Sequence, residues 1–155
     1  MGLFRRSKGE DAAPTTTTPP KRARKVLIVD DDMTIAELNE SVFVGRDWTV
    51  KTAYNGLGAL AAINLDKPDL VLLDLMLPDI PGEKILESLK RSRVPSKVMV
   101  VTGRYVTQRD FQPYEGIVVW VLRKPYPMSD LKGLIEWFEG GSEMKPKLSS
   151  IGDVD

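Results

Sequence analysis

Short apolar runs alternate with helical patterns through the middle of the chain. Residues 26–29 form a continuous run of leucine and β-branched side chains, which is typical of a parallel strand covered on both faces. The predicted strands lie at residues 26–29, 48–53, 70–73, 98–101 and 117–122. Between them, apolar residues recur at the spacing of amphipathic helices. The inward faces predicted for these helices are Ile35, Leu38 and Val42; Leu57, Leu60, Ala61 and Leu65; Ile85, Leu86 and Leu89; and Leu131, Leu134, Ile135 and Phe138.

This alternation predicts an α/β fold. Five strands separated by helices imply a doubly wound parallel sheet with helices on both faces. Residues 103–116 are the least regular part, and there we predict a short helix near residues 106–111. In such a sheet, ligands bind beyond the carboxyl ends of the strands. The residues directly after each strand are therefore the candidates for the chemistry.

Both ends of the chain differ in composition from the middle. Residues 1–24 are rich in proline, threonine and basic side chains and have almost no large apolar group after Phe4, so we predict a disordered segment. The folded domain is predicted at residues 25–140, and a flexible tail at residues 141–155. Seven basic and two acidic residues give residues 1–25 a net charge of +5, which leaves −5 for the rest because the total is zero. We interpret the basic segment as a solvated tail; the alternative, nucleic-acid binding, has no recognition helix to support it.

The composition excludes several kinds of chemistry. The chain contains no cysteine and no histidine, which excludes disulfides, thiol nucleophiles, Ser-His dyads and imidazole metal sites. Any metal must therefore be bound by oxygen ligands, which favours magnesium, calcium or manganese. No apolar run approaches the roughly 18 residues needed to span a bilayer. The absence of cysteine and of a secretory signal predicts a cytoplasmic protein.

Polar side chains follow four of the five predicted strands. Carboxylates that converge at one edge of a sheet repel one another unless a cation joins them, and a hard divalent ion with oxygen ligands removes that conflict. A hydroxyl and an ammonium on the far side suit a transferring phosphoryl group. Taken singly, these residues also have ordinary structural explanations, such as a helix cap for an aspartate. They are Asp30, Asp31 and Asp32 after the first strand, Asp74 after the third, Thr102 and Gly103 after the fourth, and Lys124 and Pro125 after the fifth.

Four segments, in this order, resemble the receiver domain of bacterial response regulators. They are VLIVDDD beginning at Val26, PDLVLLDLMLP beginning at Pro68, VVTG beginning at Val100, and Lys124 followed by Pro125. Each segment alone is common, whereas the ordered set is specific. The resemblance implies a flavodoxin-like fold with strand order 2-1-3-4-5 and membership of a two-component phosphorelay.

The resemblance also implies a role for each matching residue. Asp74 matches the phosphoacceptor, which takes a phosphoryl group from the phosphohistidine of a histidine kinase or phosphotransfer protein. Mg²⁺, with Mn²⁺ as an alternative, would be bound by Asp30, Asp31, Asp74 and the backbone carbonyl of Met76. Asp31 would be a direct ligand and Asp30 would act through water. A second register, Asp31 with Asp32, stays open, although the apolar strand ends before Asp30 and favours the first pair.

Three further positions match residues that surround the phosphoryl group in this family. Thr102 would donate a hydrogen bond to a phosphoryl oxygen, and Lys124 would pair with the phosphoryl charge. Gly103 occupies a position where the family keeps a small residue, which leaves room for the phosphoryl group. The resemblance further suggests a cis peptide bond between Lys124 and Pro125, which would turn the lysine toward Asp74.

The output side of the domain departs from the family pattern. Val121 occupies the place of a common aromatic switch residue, and strand alternation directs Trp120 to the opposite sheet face as a core residue. Trp137 falls at the edge of the inward stripe of the last helix, where a partly exposed ring can anchor an interface. We therefore predict that a partner or a second copy docks on the side formed by residues 106–111, strand five and the last helix, with Val121 and Trp137 at this surface.

These observations favour a stand-alone receiver that signals by phosphorylation-dependent contact with a downstream protein the sequence does not identify. It would be a phosphoacceptor and not an enzyme, with self-catalysed phosphotransfer and slow autodephosphorylation only. The alternative is a pseudo-receiver that acts as an interaction module without phosphorylation. All the matching site positions are filled, which favours the first interpretation.

Overall fold

The computed structural model describes residues 22–140. The predicted C-terminal tail, and the predicted disordered segment as far as residue 21, lie outside the described residues. Five parallel strands form one sheet in the order β2-β1-β3-β4-β5, which confirms the predicted doubly wound, flavodoxin-like architecture. The strands are β1 (Arg24–Val29), β2 (Trp48–Ala53), β3 (Leu70–Leu73), β4 (Lys97–Thr102) and β5 (Val118–Arg123).

Strand β1 begins before the apolar run that predicted it. Arg24 pairs with Trp48 in the parallel ladder with β2, and its backbone N–H donates to the carbonyl of Asp47 at 3.2 Å. The prediction that disorder extends through residue 24 is therefore wrong at its last residue. Apolar patterning missed this because backbone pairing at a strand end does not require an apolar side chain.

Helices cover both faces of the sheet and enclose two cores. They are α1 (Met33–Ser41), α2 (Gly56–Asp66), α3 (Gly82–Ser92) and α4 (Met128–Phe138), with a 3-10 helix at Gln108–Tyr114 in place of the short helix predicted near residues 106–111. One core lies under α2, α3 and the 3-10 helix, and the other lies under α1 and α4. Neighbouring residues of a strand alternate between these cores, so Val121 packs in the first and Trp120 in the second.

The inward face predicted for α2 is wrong at Leu57, Ala61 and Leu65, whereas Leu60 packs against the core as predicted. Leu57 is 63% exposed and Leu65 is 84% exposed, whereas Gly56, Ala59 and Ile63 are buried. Both sides of this helix are apolar, so periodicity does not distinguish them. Packing decides the orientation, because a Cβ atom on Gly56 would lie 2.2 Å from Cγ1 of Ile80.

The prediction for α1 is also wrong at one position. Leu38 is 47% exposed, and the buried positions of this helix are Ala36 and Asn39. Asn39 is buried because its Oδ1 accepts a hydrogen bond of 2.7 Å from the hydroxyl of Tyr126, which follows β5. A polar residue with a partner distant in sequence is not visible to hydrophobic patterning.

The two ends of the described chain meet at the amino end of the sheet. The guanidinium of Arg22 donates to the carboxylate of Asp69 at 2.8 and 3.1 Å, directly before β3. Arg24 donates to the backbone carbonyl of Glu139 at the end of α4, and the carboxylate of Glu139 accepts from the Trp48 indole at 2.6 Å. Within residues 22–140, no helix has both the length and the apolar character needed to cross a membrane.

Candidate functional site

Parallel pairing brings two aspartates to the same edge of the sheet. The backbone N–H of Asp30 donates to the carbonyl of Ala53 at 3.1 Å, and that of Asp74 donates to the carbonyl of Val29 at 3.0 Å. These bonds continue the β1 ladders with β2 and β3 by one residue beyond the strands. Both side chains are buried, Asp30 at 1% exposure and Asp74 at 5%. The structure thus brings together the acids predicted to follow the first and third strands.

The three consecutive aspartates have three different environments. Asp32 is the N-cap of α1, and its Oδ1 accepts from the backbone N–H groups of Thr34 and Ile35. Asp31 is exposed, and Asp30 is turned inward, where its Oδ1 accepts from the N–H of Asp32 at 2.9 Å. The cap role of Asp32 favours the register in which Asp30 and Asp31 form the acidic pair.

Asp30, Asp31 and Asp74 form one carboxylate cluster. Each offers one oxygen, and these three oxygens lie within 4.8 Å of one another. Oxygen atoms at this spacing suit a hard divalent cation, which takes carboxylate and carbonyl ligands. Met76 lies beside the cluster: its backbone N–H donates to Oδ1 of Asp74 at 3.0 Å, and its side chain is exposed.

Lys124 joins the two buried carboxylates. Its Nζ donates to Oδ2 of Asp30 at 2.7 Å and to Oδ2 of Asp74 at 3.0 Å. Its backbone N–H donates to the carbonyl of Thr102 at 2.8 Å, which places the residue at the same sheet edge. The peptide bond from Lys124 to Pro125 is cis.

Burial and charge act in opposite directions on the ionisable groups of this bridge. Burial raises the pKa of the Asp30 carboxyl, and its hydrogen bond with Lys124 opposes that shift only in part. Burial alone would lower the pKa of Lys124, but its hydrogen bonds with Asp30 and Asp74 outweigh burial, so that its pKa is raised. The ammonium form of Lys124 is therefore held more firmly than that of a free lysine.

The two residues after the fourth predicted strand differ in their surroundings. Thr102 is fully buried, and its Oγ1 accepts from the backbone N–H of Arg104 at 3.2 Å. A Cβ atom on Gly103 would meet nothing within 4 Å. The backbone at Gly103 thus borders open space, in keeping with a position that leaves room for a group on Asp74.

The residues that hold the loop after β3 were not predicted from the sequence. The carboxylate of Asp79 accepts from the backbone N–H groups of Gly56 and Leu57 at 2.7 and 2.9 Å, which ties this loop to the start of α2. These backbone hydrogen bonds lower the pKa of Asp79. Gly82 starts α3 against the same loop, because a Cβ there would lie 2.6 Å from Cα of Leu75. The Pro-Gly pair at residues 81 and 82 was the available signal, since such pairs mark turns.

The residues predicted for the output surface lie in different environments. Val121 is fully buried, so the prediction that it lies at the surface is wrong. Its position in the interior of β5 directs it into the first core. Trp137 is half-buried against Trp120, with ring centroids 5.9 Å apart. β5 is an edge strand, and the 3-10 helix and α4 flank it on the two sheet faces.

Comparisons with known proteins identify the family of this chain. Residues 26–136 match the family model described as the response regulator receiver domain. The DNA-binding response regulator MtrA of Mycolicibacterium smegmatis is 32% identical over 129 residues, covering 82% of this chain and 56% of that protein. The transcriptional regulatory protein TrcR of Mycobacterium tuberculosis is 34% identical over 76 residues, covering 49% of this chain and 30% of that protein.

The fold of this chain is also similar to that of a solved receiver-domain structure. A CheY-like response regulator receiver domain protein from Methanospirillum hungatei superposes with a TM-score of 0.65 at 26% identity, covering 76% of this chain and 92% of that one. Against MtrA and TrcR, by contrast, the chain spans only about half and about a third of the relative's length. The matched family model, over residues 26–136, includes the carboxylate cluster and Lys124. This chain therefore belongs to the receiver domain family of two-component response regulators.

Proposed function

We propose that this chain accepts a phosphoryl group on Asp74 from the phosphohistidine of a histidine kinase or phosphotransfer protein. One observation carries the proposal: a nearly buried carboxylate at the end of β3 lies 3.0 Å from the Lys124 ammonium, beside the carboxylates of Asp30 and Asp31. Family membership assigns a phosphoacceptor role to the domain, and Asp74 is one of the two buried acids of the cluster, directly after β3.

The reaction needs an anionic nucleophile and compensation of the charge that arrives. An oxygen of Asp74 attacks phosphorus, a P–O bond forms, and the P–N bond to the donor imidazole breaks. The leaving imidazole takes up a proton from solvent or the donor protein. Lys124 is placed to neutralise the phosphoryl oxygens, and the Thr102 hydroxyl is a candidate donor to one of them.

The carboxylate cluster fits a Mg²⁺ ion, with Mn²⁺ as the alternative. Asp31, Asp74 and the Met76 carbonyl would bind it directly and Asp30 through water, which suits a cation that retains part of its hydration shell. When bound, such an ion neutralises the charge that develops on the transferring phosphoryl group.

The test of the acceptor is labelling with acetyl phosphate and Mg²⁺, followed by intact-mass spectrometry. The wild-type protein should gain one phosphoryl group, and Asp74→Asn should gain none because the amide keeps the size of the side chain but is not an anionic nucleophile. Asp47→Asn, at an exposed loop position, is the matched control and should label like the wild type. Labelling of Asp74→Asn would refute the assignment. A folded wild-type protein that never labels would favour the interaction-module alternative.

The metal assignment is tested by a pair of adjacent substitutions. Asp31→Ala should reduce the rise in melting temperature on adding Mg²⁺, because a ligand is lost. Asp32→Ala removes the N-cap of α1 instead, and should lower stability by about 1 kcal/mol while leaving the Mg²⁺ response intact. If Asp32→Ala reduced the Mg²⁺ response and Asp31→Ala did not, the acidic pair would be Asp31 and Asp32.

We further propose that the phosphorylated domain signals by contact with a downstream protein or a second copy of the chain. The side formed by the 3-10 helix, the edge strand β5 and α4 supports this, because Trp137 offers a half-buried aromatic ring there. The stand-alone organisation and the cytoplasmic location stay predictions from the sequence.

A further inference from the structure

Arg104 is a second cation at the site that the proposed phosphotransfer does not use. It follows Thr102 and Gly103 at the end of β4, and its backbone N–H donates to the Thr102 hydroxyl oxygen at 3.2 Å. Its side chain lines an open cleft together with Asp31 and Met76, the two residues proposed as metal ligands on this side. This cleft adjoins the carboxylate cluster, because Asp31 lines the cleft and is also a member of the cluster with Asp74.

Glu83 holds this guanidinium in the present structure. The two side chains form an ion pair between the segment that follows β4 and the first turn of α3, and both are partly exposed, at 42% for Arg104 and 32% for Glu83. Only one carboxylate oxygen of Glu83 takes part. The other, Oε1, is buried and has no hydrogen-bond partner among residues 22–140. The Glu83 carboxylate is thus incompletely satisfied, and its hold on Arg104 is weaker than a bidentate pair would be.

A phosphoryl group on Asp74 would compete with the Glu83 carboxylate for the Arg104 guanidinium. It brings a charge of about −1.5 to −2 and three strong acceptor oxygens. The single positive charge of Lys124 already pairs with two carboxylates, those of Asp30 and Asp74. Guanidinium groups bind phosphate with two parallel hydrogen bonds, and a dianion attracts them more strongly than a single carboxylate does.

We propose that Arg104 is a phosphoryl-binding residue that exchanges Glu83 for an oxygen of the phosphoryl group when Asp74 is phosphorylated. Glu83 acts as a positioning residue that keeps the cation at the edge of the cleft until then. The exchange leaves the Glu83 carboxylate without its cation at the start of α3, so phosphorylation is transmitted to that helix. This inference rests on the proposed function and deepens it.

The experiment measures the affinity for beryllofluoride in the presence of Mg²⁺, by isothermal titration calorimetry on the full chain. Beryllofluoride serves as the phosphoryl mimic. Arg104→Gln should weaken binding about tenfold, since a hydrogen bond between charged groups is lost. Arg104→Lys should fall between Arg104→Gln and the wild type because it keeps the charge but not the planar fork. Glu83→Gln should strengthen binding by several-fold.

The double variant separates exchange from independent effects. If Glu83 acts by holding Arg104, then Glu83→Gln should change affinity little once Arg104 is replaced. Arg91→Gln, at an exposed position on α3, is the matched control for loss of a positive charge and should leave affinity unchanged. A cooperative urea unfolding transition establishes that each variant is folded. If Arg104→Gln does not fold, the affinity of the conservative Arg104→Lys variant tests the proposal in its place.

The outcomes are distinct. Wild-type affinity in Arg104→Gln would overturn the proposal, as would an equal effect of Glu83→Gln with and without Arg104. Beryllofluoride binding that survives Asp74→Asn would instead overturn the proposed acceptor, and with it the exchange. Binding that depends on Asp74, falls in Arg104→Gln and shows the expected non-additivity would support both.

Discussion

Replacing Lys124 by methionine tests the electrostatic balance of the site. The variant keeps an unbranched side chain of similar length and removes the ammonium that lies 2.7 Å from Asp30 and 3.0 Å from Asp74. The two carboxylates remain, one at 1% and the other at 5% exposure. Without the cation the two carboxylate charges repel each other, and little solvent is available to screen them.

The size of the effect follows from these distances. At an effective dielectric constant of about 20, each contact corresponds to a gross attraction of about 6 kcal/mol, most of which offsets the desolvation of the charges. Removing one partner of a buried ion pair costs about 3–5 kcal/mol because a buried charge is left uncompensated. The Lys124 side chain retains 20% exposure, so we expect the lower end of this range, about 3 kcal/mol.

The assay is urea unfolding of wild type, Lys124→Met and the control Lys132→Met, each with and without Mg²⁺. The control lies at an exposed position of α4 and should change stability by less than about 0.5 kcal/mol. Mg²⁺ should recover part of the loss in Lys124→Met, because a cation bound to the same carboxylates replaces the missing charge. A Lys124→Met protein as stable as wild type without Mg²⁺ would refute the reasoning.

Two further substitutions test packing and pH dependence. Gly82→Ala would place its Cβ 2.6 Å from Cα of Leu75 and 2.9 Å from the Asp74 carbonyl, so we expect the free energy of unfolding in urea to fall by about 1–3 kcal/mol. In the control, Gly103→Ala, the added Cβ meets nothing within 4 Å, so its effect should be near neutral. Equal effects of the two substitutions would contradict the crowding argument. Burial raises the pKa of Tyr126 to about 12 from its ordinary value of 10.0. The contribution of its neutral phenol to the stability of the folded protein is therefore fully present below pH 10 and is lost as the pH rises through 12. Tyr126→Phe should therefore lose less stability between pH 10 and 12 than the wild type. At neutral pH it should be about 1–3 kcal/mol less stable than the wild type, because Asn39 loses its hydrogen-bond partner. Parallel profiles of stability against pH for the two proteins would contradict this prediction.

The parallel sheet is the part of the fold that the sequence predicts well. Its buried strands are continuous apolar runs, and parallel pairing forces their carboxyl ends to one edge. The convergence of Asp30, Asp74 and Lys124 follows from that rule alone, before any side-chain contact is known. Asp32, the N-cap of α1, has a role that is common for an aspartate directly before a helix.

The parts that could not be predicted depend on tertiary packing. α2 is apolar on both sides, and the choice between them is made by Ile80, which lies 24 residues after Gly56 and packs directly against it. The pairs Arg104 with Glu83 and Tyr126 with Asn39 join elements far apart in sequence. Single-residue propensities contain no information about such partners. The site was therefore predictable where strand ends define it, and not where helices and loops close around it.

The contact between Arg24 and Glu139, near the two ends of the described residues, has a practical consequence. The strands separate this pole from Asp74, and a six-residue strand such as β1 is about 20 Å long. A fluorophore, an affinity handle or a surface tether attached at residue 22 or residue 140 therefore starts at the far side of the sheet from the carboxylates. The protein can be held at either of these two residues on a sensor chip while the opposite pole is presented to a phosphodonor.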